Sequence, residues 1–137
     1  MGFDRLSIKV ETGDGRNVCV LEPFYFTRKN GEVVAVGVGA ESDGASTPRE
    51  SWVVTPPFGW YWLATVLHDY LYRYTQRAKE ECDAILLEAL EWLAWLTENP
   101  LLREARMIEG RAMYDAVVLG GASSFEEDRK NQTNRTL

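Results

Sequence analysis

With 137 residues, 45% of them hydrophobic and 12% aromatic, the chain is long enough to bury a core and too short to make a second domain a natural expectation. Fifteen Lys and Arg stand against 21 Asp and Glu, so the net charge of -6 excludes a broad basic footprint for nucleic acid. Two cysteines without CxxC spacing exclude a disulfide framework, and no apolar run reaches transmembrane length.

The opening MGFDRLSIKV has neither the basic nor the apolar region of a signal peptide, which leads to the expectation of a cytoplasmic protein with reduced thiols and no membrane partner. From Leu6 to about Val38, alternating β-branched stretches (LSIKV, NVCVLEPFYFT, EVVAVGV) are separated by Gly13-Asp14-Gly15 and Lys29-Asn30-Gly31. This pattern predicts a small antiparallel sheet. Asn30-Gly31 is the stronger turn signal, since a two-residue hairpin needs residues that accept positive φ. Pro23 places its strand at an edge or a bulge.

Residues 39–59 read as a motif loop, ESDGASTPRESW onward, with Thr47-Pro48-Arg49-Glu50 in the pattern of a capping box. Three helices are expected over residues 60–121. The first, Trp60 to Tyr74, is apolar or aromatic nearly all round, which marks a central or interfacial helix. In the second, Gln76 to Leu96, an apolar stripe from Cys82 to Leu93 faces inward while Glu80, Glu81, Glu88 and Glu91 face water. The third starts at Asn99-Pro100 and ends at Gly120-Gly121 as a glycine C-cap. The polar, mixed-charge residues 122–137 read as a disordered tail. Strands followed by helices make an α+β single domain.

Polar residues inside an apolar helical half require partners, because burial of an unpaired polar group is costly. At roughly 100° per residue, His68 shares a flank with Tyr61, Ala64 and Tyr72, while Asp69 turns towards Thr65 and Arg73. Asp83 lies on the inward face of the second helix, within reach of His68 or the Asp43 loop. Asp43, His68 and Asp83 together would suit one divalent cation, zinc or manganese, whose bound water serves as nucleophile. The alternative chemistry makes Ser46 a nucleophile, His68 its base and Asp69 or Asp83 the orienting carboxylate, although Ser46 lacks a G-x-S-x-G elbow.

Plainer readings stand beside these. Asp43-Gly44 suits an ordinary turn, Ser46 a helix cap, His68 a core histidine bonded to Asp83, and Asp69 an i,i+4 pair with Arg73. Helix geometry makes Asp69 the weakest member of the set. Trp60, Trp62, Trp92 and Trp95 suit the core or an oligomer surface, and Cys82 a small buried hydrophobe.

D-G-A-S-x-P (43–48), L-H-D-Y-L-Y (67–72), Arg77-Ala78 with Asp83 five residues on, and Met113-Tyr114 together resemble the phage and prophage family known as domain of unknown function 1353. The resemblance spans about Val33 to Gly120. It implies a viral or prophage origin and groups Asp43, Ser46, His68, Asp69 and Asp83, but implies no reaction. Gly39-Ala40-Glu41-Ser42 stands where the family pattern has Gly-Phe. Asp43, His68 and Asp83, converging from a loop and two helices, give the expectation of a small metal-assisted hydrolase, which the resemblance places in the host cytosol or on a virion; the alternatives are a non-enzymatic accessory protein or inhibitor of a host system, self-associating or binding a host or virion protein through its aromatic helices, and a serine hydrolase.

Overall fold

The computed structural model describes residues 1–12, 17–43 and 59–132. Two three-stranded antiparallel sheets precede four helices, so the α+β single-domain layout holds. Instead of one sheet, β1 (Gly2–Phe3), β4 (Phe24–Thr27) and β5 (Val33–Val36) form one, while β2 (Val10–Thr12), β3 (Val18–Val20) and β6 (Glu41–Ser42) form the other. Pro23 accounts for the division. It has no N–H for a ladder, and the stretch NVCVLEPFYFT breaks there, its halves joining different sheets.

The β4–β5 hairpin closes with Thr27 opposite Val33, and Arg28 N donates to Glu32 O at 2.7 Å. Three residues, Lys29 to Gly31, thus lie inside the last pair, rather than two. Gly31 takes φ of 89°, the position where such a loop needs a left-handed residue, and Asn30 contributes its side chain by accepting from Glu32 N at 2.9 Å. Along β4 and β5 burial alternates. Phe24, Phe26, Val34 and Val36 point inward, and Phe3 from β1 lies on Phe26 with ring centroids 4.8 Å apart. Each such buried side chain stabilises the fold by about 1.5–3 kcal/mol.

Helix α1 (Trp62–Tyr74) buries Leu63, Ala64, Val66, Leu67 and Leu71, as its all-round apolar character predicts. It begins two residues later than Trp60. α2 (Lys79–Trp95) buries the expected stripe from Cys82 to Leu93 and touches α1, α3 and β1. The four glutamates of α2 are not uniformly wet. Glu88 receives the Arg28 guanidinium at 2.8 Å and Lys29 N at 3.0 Å, while Arg77 holds both Glu81 (2.5 Å) and Glu32 (2.6 Å). Those pairs clamp the hairpin onto α2.

In α3 (Pro100–Gly120), Asn99 caps the first turn by accepting from Leu101 N and Leu102 N, with Pro100 at the first helical position. The far end differs from the expected glycine cap. Gly121 is right-handed (φ -88°), donates to Val117 O at 2.8 Å, and leads straight into α4 (Ala122–Lys130). A side chain at Gly121 would strike Val117 O and approach the Tyr72 hydroxyl, so a glycine is needed here for close approach.

The predicted disordered tail is thus corrected over residues 122–130. Phe125 packs on the core with its ring 5.0 Å from that of Tyr72, and Arg129 donates to the carbonyls of Leu71, Tyr72 and Arg77. Polar composition hid a helix anchored by Phe125, Arg129 and Asp128, the last lying 3.6 Å from Arg73. Cys19 and Cys82 are free thiols, and among the described residues no helix is long and apolar enough to cross a membrane.

Candidate functional site

Two polar clusters flank α1, one on each side of the step from His68 to Asp69. On the first flank, His68 and Tyr72 are one turn apart with ring centroids separated by 4.1 Å. From α2, Asp83 and Lys79, also one turn apart, meet them. Asp83 Oδ1 contacts His68 Nε2 at 2.9 Å and accepts from the Tyr72 hydroxyl at 2.6 Å. Its Oδ2 accepts from Lys79 Nζ at 2.8 Å, and the same ammonium donates to Val117 O of α3 at 3.0 Å.

Burial works to raise the Asp83 pKa, but donors from His68, Lys79 and Tyr72 outweigh it and hold the carboxyl below its usual range. Burial and the bond to Asp83 push the Tyr72 phenol well above the ordinary range. With Asp83 ionised, Nε2 must be the donor, so the neutral imidazole keeps its lone pair on Nδ1. Among the described residues that nitrogen has no hydrogen-bond partner.

On the second flank, Asp69 Oδ2 accepts from the buried Ser42 hydroxyl at 2.6 Å and from Asp43 N at 3.3 Å. Arg73, one turn beyond Asp69, lies 3.7 Å from Asp43 Oδ1 and 3.6 Å from Asp128 Oδ1 of α4, and donates to Glu41 O at 3.0 Å. The carboxyl of Asp69 is pushed up to about 8 by burial and by Asp43, against the opposing pull of Arg73 and Ser42.

Asp69 binds more protons folded than unfolded between about pH 4, its unfolded value, and about pH 8. Its contribution to stability is therefore full below pH 4 and is lost as pH rises through 8. Asp69→Asn keeps an oxygen for Ser42 and Asp43 N yet cannot ionise. At pH 9 it should be more stable than the parent by roughly 2 kcal/mol, the formal value being reduced because water reaches this partly exposed side chain. Melting curves of both proteins at pH 5 and pH 9 check this, and an equal difference at the two pH values would refute it.

Of the predicted set, the structure joins His68 with Asp83 and Asp43 with Asp69. It does not bring Asp43 to the His68–Asp83 contact. Asp69, ranked weakest from helix geometry, instead holds the start of the motif loop together with Arg73 and Tyr74. Among the described residues, no group of three His, Cys, Asp or Glu side chains is arranged to hold a metal ion. Ser46, with Gly44, Ala45, Pro48 and the predicted capping box, lies outside the described residues.

Sequence reasoning placed Tyr72 on the flank of His68 without giving it a role, and missed Lys79 and Ser42. The i,i+4 spacing of Lys79 to Asp83 could have signalled Lys79. No spacing rule could have found Ser42, because it arrives from a different element. Within α1, Trp62, Tyr70 and Tyr74 are partly buried against the core and Tyr72 fully, and just before it Trp60 is partly and Tyr61 fully buried, so these aromatic residues offer little open surface.

Residues 18–97, from β3 to just past α2, match one protein family, described as protein of unknown function (DUF1353), and no curated protein and no solved structure matches the chain.

Proposed function

Because the chain belongs to the DUF1353 family, whose description carries no activity, we propose from its own geometry that it is a small hydrolase of phage or prophage origin in which His68 moves the proton. The observation that carries this reading is the His68–Asp83 bond at 2.9 Å, with Nδ1 of the same ring left to accept. Asp83 fixes the tautomer and orientation of the imidazole and stabilises the imidazolium. Nδ1 takes a proton from water, or from the Ser46 hydroxyl, as that oxygen bonds to an acyl carbon or a phosphorus. The leaving group then departs with the proton returned from Nδ1. A divalent cation on Asp43, His68 and Asp83 is a more demanding form of the reading, since Lys79 would have to leave Asp83 and Asp43 would have to leave Arg73.

Turnover of p-nitrophenyl acetate and bis(p-nitrophenyl) phosphate, with EDTA or with added zinc or manganese, tests both forms. His68→Ala should lower the rate on the accepted ester by about 10²–10⁴-fold. An unchanged rate in a variant that melts like the parent would sink the proposal, and a rate indifferent to EDTA and added metal would remove the cation.

A non-enzymatic accessory or inhibitor role is the second reading, and one surface feature favours it. α3 exposes Leu101, Ala105, Ile108, Ala112 and Leu119 along one side, with Leu101 81% and Leu119 87% exposed. On this reading the polar clusters only lock the fold, so neither ester is turned over and both His68→Ala and Asp43→Ala melt well below the parent.

A further inference from the structure

Away from both clusters, where α1 begins and α2 turns into α3, lies a cavity of about 340 Å³ lined by Trp60, Trp62, Leu6, Leu63, Leu93 and Leu96. Gly59, Thr97 and Arg106 also line it. Its size is at the lower end for small-molecule sites, about 300–1,000 Å³, and its lining has their usual character of aromatic and aliphatic walls with a few polar groups.

The charge on that wall is unusual for this acidic chain. Arg106 donates through one terminal nitrogen to Thr97 Oγ1 at 2.9 Å and lies 5.8 Å from the Trp60 ring centroid, and its Nε is buried with no hydrogen-bond partner. Arg103, one turn earlier on α3, donates to Thr97 O at 2.8 Å and covers the Trp95 ring. Neither guanidinium has a carboxylate partner among the described residues. Glu109, three residues beyond Arg106, is the obvious local counter-charge. It is instead bonded by the Trp60 indole N–H at 2.6 Å. The same tryptophan thus walls the cavity and holds the nearest acid to itself.

An arginine on the wall of an apolar cavity, with no carboxylate beside it among the described residues, carries a charge that an anion in the cavity would satisfy. We infer that this cavity binds a small organic anion, an apolar ring or chain ending in a carboxylate or phosphate, with the apolar part against Trp60 and Trp62 and the head group on Arg106. The inference does not rest on the acid–base role of His68.

Titration of the full chain with 2-naphthoate, naphthalene-2-phosphonate and neutral 2-naphthamide, followed by tryptophan fluorescence and calorimetry, tests it. One or both anions should bind at least about tenfold more tightly than the amide, the ratio expected for one good ionic hydrogen bond, and the better of the two identifies the head group. Arg106→Gln should abolish the preference while leaving the amide's affinity unchanged. Equal affinity for anions and amide, or no binding by any of the three, would overturn the assignment. Both tests on the unmodified chain stand even if Arg106→Gln fails to fold.

Discussion

Asp83→Ala should destabilise the protein by about 3–5 kcal/mol, because it leaves the Lys79 ammonium, the Tyr72 hydroxyl and His68 Nε2 without the acceptor they share. For a chain of this size the melting temperature should fall by roughly 10–15 °C. The pH dependence has a definite sign. The folded pKa of Asp83 is depressed, so its stabilisation is fully present above the unfolded carboxylate value of about 3.9 and is lost as pH falls through the folded value. Denaturant curves at pH 7 and at progressively acid pH should therefore converge for parent and variant only under acid conditions. A second comparison separates lost charge from lost volume. The double variant Lys79→Met, Asp83→Leu should be closer to the parent than Asp83→Ala, since replacing both members of a buried pair by apolar groups removes the uncompensated charge. A single variant as stable as the parent at pH 7 would mean that the cluster contributes nothing to the fold.

Deleting residues 122–137 should be nearly as damaging, although composition alone marks this stretch as dispensable. Arg129 gives N–H groups to Tyr72 O at 2.9 Å and to Leu71 O at 3.1 Å, the latter also accepting from the Thr75 hydroxyl at 2.6 Å; both are among the last four carbonyls of α1. It also reaches Arg77 O at 2.6 Å. Hydrogen bonds from a charged donor contribute about 1.5–3 kcal/mol, and removing Phe125 from its place on Tyr72 adds about 1.5–3 kcal/mol more. The truncated chain should melt about 10 °C below the parent. Arg129→Lys should recover little of an Arg129→Ala loss, because an ammonium cannot spread over three carbonyls as the planar guanidinium does. Differential scanning calorimetry of the three variants decides the matter, and a truncated chain melting within about 2 °C of the parent would show α4 to be an ornament.

The two variants probe different dependencies of one helix. Asp83 secures the flank of α1 bearing His68, and Arg129 secures its end. Asp128, one residue before Arg129, places its carboxylate beside Arg73 on the opposite flank, so α4 touches the surroundings of both clusters. The family match ends at residue 97, before α3 and α4. Val117 O and Asp128 thus bring contributions from outside the matched stretch to clusters whose other members lie within it.

Local chemistry alone determined the α+β order, the three principal helices, the cap at Asn99, the hairpin near Asn30-Gly31 and the divergence of His68 from Asp69. Each follows from side-chain period, turn residues or the rotation per residue along a helix, and none needs a distant part of the chain. The pairing of His68 with Asp83 was legible as one possibility because both are polar residues on inward faces of successive helices. Tertiary structure alone decided that Pro23 divides two sheets, that Asp43 meets Asp69 rather than Asp83, and that a polar tail becomes a helix. In every one of these cases the deciding partner lies on another element, where a carbonyl, a carboxylate or an aromatic face awaits a donor or a ring. Spacing along the chain records which residues can share a face, whereas packing selects the face they meet.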